Sequence, residues 1–292
     1  MICFGPSYLQ RLLMDTYRLE GNTDMSEHSR PYVIHSDDEC ERLELQARLA
    51  KIEQHLRYLP VSPGARVLDA GCGSGSMSRL IARSFPHAEV TSVDRRQQYL
   101  DFASSWARSA HLRNVQFQCA DIFALPFAEA SFDVVWTKYL LQWLKDPKRA
   151  LNELSRVTRP GGVVVSCDFA SFAIEHYPID PKLDAEVRHV MKALVDCDVG
   201  RKVPSFMISL GFKDVHVEVE ADKIFTVIGP IDAERRWNWE KQFQAARPHL
   251  IKIIGSEEDV DRFVTKFLSI YDDPTISSIT TLHFTMGYKP PA

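Results

Sequence analysis

The stretch RVLDAGCGSGSMSRL, residues 66–80, decides the fold class of this 292-residue chain. An apolar run at 66–70 leads into three glycines within five residues, and a segment with helical spacing follows. Glycine is used where a backbone turns tightly or where a ligand must approach it closely. A turn into a helix also presents free backbone N–H groups to a ligand. Alone, this motif is a weak signal, and a plain strand-to-helix turn is the alternative interpretation.

Short apolar runs and helical segments alternate after this turn. The strand-like runs are 66–70, 88–94, 115–121, 132–137 and 162–169, and the helical segments between them are 76–85, 97–110 and 146–157. This alternation predicts an α/β fold in which helices cover both faces of a parallel sheet. Ligands of such sheets bind beyond the carboxyl ends of the strands, where the strand order reverses.

Acidic residues stand at the ends of three predicted strands. Asp94 lies about 20 residues beyond the glycines, where a carboxylate accepts both hydroxyls of a ribose. Asp121 and Ile122 are placed to meet an adenine amino group and ring face, and Asp69 ends the first strand. Each aspartate alone is more simply a helix cap or a solvated turn. A dinucleotide fingerprint requires glycine where this chain has Ser76, so a cofactor without a pyrophosphate fits better.

The stretches 67–82, 90–100 and 119–165 together resemble the motifs of class I S-adenosylmethionine-dependent methyltransferases. They are most similar to the branch that contains quinone-biosynthesis and natural-product enzymes, and the resemblance covers roughly 66–220. It implies a Rossmann-like sheet of seven strands whose last strand is antiparallel. The alternating stretch 277–289 agrees with such a final strand. The implied cofactor is S-adenosylmethionine.

The resemblance also implies roles for individual residues. Those assigned to the cofactor are Asp69, Gly71 and Gly73 on the methionine and ribose side, Asp94 on the ribose hydroxyls, Arg95 beside the adenine, Asp121 and Ile122 on the adenine, and Lys138 near the methionine end. Family members vary over 138–142.

Four segments follow from this organisation. Residues 1–60 form an N-terminal extension, 61–230 the cofactor-binding core, 231–275 a helical lid insertion, and 276–292 the final strand. Ser36 and Glu39 match a capping box. Leucine and isoleucine at helical spacing predict one amphipathic helix that continues to Pro60. By family analogy, the N-terminal segment folds across the cofactor.

The acceptor is predicted to be a small, largely apolar natural product that is methylated at oxygen. His176, which follows strand five, is the candidate general base. Candidate substrate or lid contacts are Tyr32, His35, Tyr177, Trp237 and Trp239. For a single histidine a packing role is the simpler alternative, and the tryptophans fit the lid core equally well. A nitrogen, sulfur or carbon acceptor, a protein substrate, and a non-catalytic cofactor-binding regulator remain alternatives.

Composition excludes several other classes. The chain is 45% hydrophobic and 25% charged, with a formal net charge of −4. No basic, aromatic-interleaved surface predicts nucleic acid as a partner, and no apolar run is long enough for a membrane span. No metal-ligand spacing occurs near the strand ends, so no metal is expected. Six scattered cysteines without a CxxC pair favour a reducing, cytoplasmic setting. The sequence leaves the oligomeric state open.

Overall fold

A seven-stranded sheet organises the computed structural model, which describes residues 38–291. Its strands are β1 (Arg66–Ala70), β2 (Glu89–Asp94), β3 (Val115–Cys119), β4 (Phe132–Lys138), β5 (Thr158–Ala170), β7 (Lys213–Ala221) and β10 (Thr281–Tyr288). The spatial order is β3-β2-β1-β4-β5-β10-β7. Strands β1 to β5 pair in parallel, and β10 is antiparallel to both β5 and β7. The predicted sheet with an antiparallel last strand is therefore confirmed.

Eight helices are described within this range. They are α1 (Glu39–Ala50), α2 (Ser76–Ser84), α3 (Gln97–Ser109), α4 (Pro147–Val157), α5 (Pro181–Leu194), α6 (Val199–Ser209), α7 (Ala233–Ile254) and α8 (Glu257–Ser269). Helices α4 and α5 share one start signal, an aspartate followed by proline. Asp146 and Asp180 accept backbone N–H bonds from the first turn. Proline fits the first helical position because that residue needs no hydrogen-bond donor.

Alternation along the central strands divides the core between the two faces of the sheet. Val134 and Trp136 of β4 belong to one buried cluster, and Val135 between them belongs to the other. In β5, likewise, Val163 and Val165 belong to the first cluster and Val164 belongs to the second. Successive side chains of a strand point to opposite faces, so apolar residues at every position predict a sheet that is covered on both sides.

The N-terminal helix is shorter than the sequence predicts. Helix α1 ends at Ala50, Lys51 adopts a left-handed conformation with φ of 51°, and a 3₁₀ turn follows at Ile52–Tyr58. Asp38, rather than Ser36, occupies the N-cap. Ser36, one member of the predicted capping box, lies outside the described residues, and the carboxylate of the other member, Glu39, accepts two hydrogen bonds from the buried Arg42 guanidinium. A buried guanidinium requires such a partner.

The final stretch, 277–289, is not one strand. It divides into β9 (Ser277–Ser278) and β10, since the Thr226 hydroxyl donates to the carbonyl of Thr280 and accepts from its N–H. Strand β9 instead pairs with β6 (His176–Tyr177) and β8 (Val227–Ile228) in a small three-stranded sheet.

Two further differences concern the boundaries of elements. Helix α5 was not predicted, although its start signal and the buried Val187, Val190, Met191 and Leu194 mark it. Strand β3 ends at Cys119, so Asp121 lies in the turn that follows and not in the strand. Helices α7 and α8 lie between β8 and β9, within the predicted insertion 231–275. The four-segment division itself stays a prediction.

Candidate active site

The glycine turn connects β1 to α2 and has a positive φ at each of its three glycines. At Gly75 an added Cβ would lie 2.6 Å from the Cβ of Ala103, so this glycine allows α2 to begin against α3. At Gly73, with φ of 52°, an added Cβ would lie 3.1 Å from Cδ1 of Leu43 on α1. The missing side chain therefore leaves room for a close approach to the backbone at Gly73, and it allows two helices to pack together at Gly75.

Asp94 ties the end of β2 to this turn. Its Oδ2 accepts the N–H of Gly73 at 3.0 Å, and its Oδ1 accepts the N–H of Arg96 at 3.0 Å. Burial raises the pKa of Asp94, and these two N–H groups oppose that shift. Each carboxylate oxygen has more than one acceptor position, so a half-buried Asp94 retains capacity for further donors such as ribose hydroxyls. These residues fit a nucleoside cofactor.

The other predicted cofactor residues lie at the same edge of the sheet. Asp69 is buried, and its Oδ2 accepts the hydroxyl of Ser78 at 2.5 Å. Burial raises the pKa of Asp69 to about 6. Arg95 and Asp121 are exposed, Ile122 is half-buried, and the Asp121 carboxylate accepts the N–H of Phe123. We refer to the carboxyl ends of β1, β2 and β3 as the cofactor half, and the binding roles there stay predictions.

Helix α1 lies across the glycine turn. Its Glu44 accepts a hydrogen bond of 2.7 Å from Arg79 of α2, and Arg79 donates another, of 2.6 Å, to the carbonyl of Ser74. The same helix contacts α7, where Arg42 donates to Asn238 and Lys241 donates to Asp38. The described part of the N-terminal extension thus connects the turn to the helical insertion.

The carboxyl ends of β4, β5 and β7 form the acceptor half. Lys138 ends β4, and Tyr139 follows with a positive φ of 55°. The Tyr139 hydroxyl donates to Oδ2 of Asp222 at 2.7 Å, immediately after β7. Asp222 is fully buried and also accepts the N–H groups of Ile224 and Phe225. Sequence reasoning missed Tyr139 and Asp222, because residues 83 positions apart carry no common motif.

A series of ring contacts runs through the acceptor half. Tyr139 stacks on Phe169 at 4.3 Å between ring centres, and the series continues through Phe172, Phe225 and Trp239. We call these five residues the aromatic wall. Trp239 is 2% exposed and packs in the core of the insertion. Trp237 is half-buried, with the Lys241 ammonium 5.7 Å from its ring centre.

The structure places His176 in the small sheet. Its Nε2 bonds the Ala173 carbonyl at 3.1 Å, and its ring lies edge-on to Phe267 and Tyr271. Its Nδ1 is buried without a hydrogen-bond partner among residues 38–291. Burial lowers the pKa of His176. These surroundings favour a packing role, and the role as a base stays a prediction.

The remaining candidates differ in their positions. Tyr177 is 79% exposed on the small sheet, whereas Tyr32 and His35 lie outside the described residues. Within residues 38–291 no three His, Cys, Asp or Glu side chains form a group that could hold a metal ion. None of the helices in that range is both long and apolar enough to cross a bilayer.

Comparison with curated proteins identifies similar enzymes. Malonyl-[acyl-carrier protein] O-methyltransferase of Herminiimonas arsenicoxydans is 31% identical over 183 residues, which are 63% of this chain and 63% of that protein. The protein of the same name from Pseudescherichia vulneris is 45% identical over 107 residues, 37% of this chain and 40% of that protein. The match thus spans less than two thirds of the length of either relative.

Solved structures share the fold. Phosphoethanolamine N-methyltransferase 2 of Haemonchus contortus, in complex with S-adenosyl-L-methionine, matches 89% of this chain and 60% of that chain, with a TM-score of 0.57 and 17% identity. The [4+2]-cyclase SpnF matches 84% of this chain and 81% of that chain, with a TM-score of 0.53 and 18% identity. Proteins with different reactions thus share this architecture, which identifies the fold alone. A family model described as "Methyltransferase domain" matches residues 61–223. Since that range is more than half of the chain, the protein belongs to the methyltransferase domain family, and its cofactor is S-adenosylmethionine.

Proposed function

We propose that this chain transfers the methyl group of S-adenosylmethionine to an oxygen atom of a small acceptor that carries an apolar body. The observation that carries this proposal is the juxtaposition of the two halves of the site. The glycine turn, which donates a hydrogen bond to Asp94, follows β1. The aromatic wall begins just after β4, and β4 pairs directly with β1. The relatives named as O-methyltransferases of malonyl-[acyl-carrier protein] support oxygen as the acceptor atom.

On the cofactor side, Asp94 would accept the ribose hydroxyls, and Gly73 would allow the backbone to lie against the ligand. The bound cofactor supplies a methyl group on a cationic sulfur, which is an activated donor with a neutral leaving group. The protein therefore gains most of its rate by holding the acceptor oxygen about 3–3.5 Å from that methyl carbon, in line with the breaking bond.

On the acceptor side, the aromatic wall supplies an apolar surface that excludes water and orients the acceptor body. The hydrogen bond from Tyr139 to Asp222 fixes the first ring of that wall. Helix α1 covers the turn from above, through Leu43 and the Glu44–Arg79 pair. Together these contacts favour an enclosed site, which fits a small molecule or a short tethered group better than a folded protein segment.

The proposal is tested with the full chain, S-adenosylmethionine carrying a labelled methyl group, and a panel of small acids, phenols, thiols and amines. We expect tight binding of S-adenosylhomocysteine by calorimetry and label in an O-methyl product, identified by mass spectrometry. Label found only in N-, S- or C-methyl products would contradict the choice of oxygen. Absence of S-adenosylhomocysteine binding would contradict the proposal as a whole.

A further inference from the structure

Lys138 directs its side chain toward the acceptor half. It is the last residue of β4 and lies opposite Cys167 of β5 in the strand register. Its Nζ lies 3.7 Å from the ring centre of Tyr139, and that ring stacks on Phe169 of β5. The ammonium therefore lies over the aromatic wall. The role near the methionine end that the family resemblance implies for Lys138 stays a prediction.

The Lys138 ammonium has no hydrogen bond and no ion pair with any residue from 38 to 291. Lys138 is half-buried, and a partly desolvated cation without a bonded partner costs free energy. Burial accordingly lowers the pKa of Lys138, and the nearby Cys167, Asp222, Asp168 and Asp69 oppose that shift in decreasing order. The charge of Lys138 also acts on His55, in the 3₁₀ turn after α1. The pKa of His55 is lowered to about 2, with burial as the largest cause and Lys138 as the next.

The three aspartates around Lys138 are engaged with other donors. Asp222 accepts from the Tyr139 hydroxyl and from two backbone N–H groups, Asp168 from the Ser166 hydroxyl and the N–H of Leu141, and Asp69 from the Ser78 hydroxyl. Burial also raises the pKa of Asp168 to about 7 and that of Asp69 to about 6, which reduces their negative charge near neutral pH. The lysine thus lacks a direct anionic partner in its own half of the site.

We propose that Lys138 binds the carboxylate of the acceptor, so that the acceptor is a carboxylic acid with an apolar body. This inference rests on the proposed function. A carboxylate is the partner that this half-buried ammonium lacks, and a charge-assisted bond to it is strong. The aromatic residues around Lys138 make its surroundings apolar, which suits the body of the same molecule. The malonyl group named for the relatives carries such a carboxylate.

The chemistry of a carboxylate acceptor agrees with this site. One carboxylate oxygen attacks the methyl carbon, an O–C bond forms while the C–S bond breaks, and sulfur keeps the electron pair. The negative carboxylate and the positive sulfonium become a neutral ester and a neutral thioether. No proton has to leave, so the reaction needs no general base. The position of His176, with Nε2 bonded and Nδ1 buried, is therefore compatible with this reaction, which needs no base.

The experiment compares wild type with Lys138→Met, Lys138→Arg and a control, Lys213→Met, which removes an exposed lysine at the opposite end of the sheet. The probes are octanoate and the malonyl thioester of N-acetylcysteamine, each with its matched primary amide. Binding to protein saturated with S-adenosylhomocysteine is measured by calorimetry, and turnover is measured with S-adenosylmethionine.

We expect wild type to bind at least one acid about 10-fold or more tightly than its amide. Lys138→Met should abolish that preference and raise the acid's KM about 10–100-fold, while the Kd of S-adenosylhomocysteine stays within about 3-fold. Lys138→Arg should retain part of the preference because it keeps a cation, and Lys213→Met should behave as wild type. Thermal midpoints show whether each variant folds. The ratio of acid to amide affinity in wild type tests the proposal even if a variant does not fold.

Three results would overturn the inference. The first is equal binding of acids and amides by wild type, or binding of neither. The second is an acid preference that survives in Lys138→Met. The third is a large loss of S-adenosylhomocysteine affinity in that variant, which would assign Lys138 to the methionine carboxylate of the cofactor. Failure of the proposed function looks different, since wild type would then not bind S-adenosylhomocysteine at all.

Discussion

The cofactor half and the acceptor half of the site are built in different ways. In the cofactor half, Asp94 bonds the backbone of Gly73 and Arg96, so its parts lie within a short stretch of chain. In the acceptor half, Tyr139 bonds Asp222, 83 residues away, and rings from the end of β5, the turn after β7 and helix α7 pack against one another. A motif in the sequence reports the first arrangement because the contacts are local, whereas only the folded chain assembles the second.

The largest expected effect concerns a buried carboxylate of the acceptor half. Burial raises the pKa of Asp168 to about 7, above its unfolded value of 3.8. The folded state then binds the proton more tightly, so the stability contributed by this group is complete below pH 4 and is lost as the pH rises through about 7. Asp168→Asn mimics the neutral form. Relative to wild type it should gain on the order of 3 kcal/mol of unfolding free energy between pH 4 and pH 8.

Urea unfolding of wild type and Asp168→Asn across that pH range measures the difference. Asp133→Asn, a change at the opposite end of β4 in a partly exposed carboxylate, serves as the control. Parallel pH curves for wild type and Asp168→Asn would show that folding does not raise the pKa of Asp168.

The next effect tests the local contacts of the cofactor half. Asp94→Ala removes the acceptor of two backbone N–H bonds and the predicted ribose ligand. We expect S-adenosylhomocysteine to bind about 1.5–3 kcal/mol more weakly, as for the loss of a hydrogen bond to a charged group. Asp101→Ala is the matched control, because that aspartate on α3 bonds only the exposed Gln97 among the described side chains. Unchanged affinity in Asp94→Ala, measured by calorimetry, would remove Asp94 from the cofactor site.

The smallest effect is expected at His176. The ring is packed in the small sheet and the acceptor of the inferred reaction loses no proton, so His176→Gln should change kcat less than about 3-fold. Its thermal midpoint should fall by a few degrees, because a buried ring contact is lost, with a cost of about 1 kcal/mol. A decrease in kcat of about 100-fold, together with loss of a limb in the pH–rate profile between pH 6 and 7, would instead restore the histidine as a base.

The sequence was sufficient for the sheet, the glycine turn and Asp94, because each depends on short-range periodicity or on a motif. It was insufficient where tertiary contacts override local pattern. The apolar spacing through Leu56 predicts one long helix, yet the chain turns at Lys51. The alternating final stretch predicts one strand. In the structure, the Thr226 hydroxyl bonds both the N–H and the carbonyl of Thr280, which a continuous strand would use for pairing. Lys138 was predicted as a site residue, and its position over the Tyr139 ring depends on packing that no motif encodes.

The polar character of α1 has a consequence for hydrogen exchange. The buried side chains of this helix are Glu39, Arg42, Gln46 and Ala50, three of which are polar, and Leu43 and Leu49 add only partly buried apolar contacts. Polar contacts such as the Glu44–Arg79 pair contribute little net free energy to docking. In the central strand β4, by contrast, Val134, Val135 and Trp136 are buried in two apolar clusters. Local opening of α1 should therefore require less free energy than unfolding of the sheet, and its amides should exchange with solvent while those of β4 stay protected. Exchange of the α1 amides without exchange of the β4 amides would show that the helix opens while the sheet remains folded.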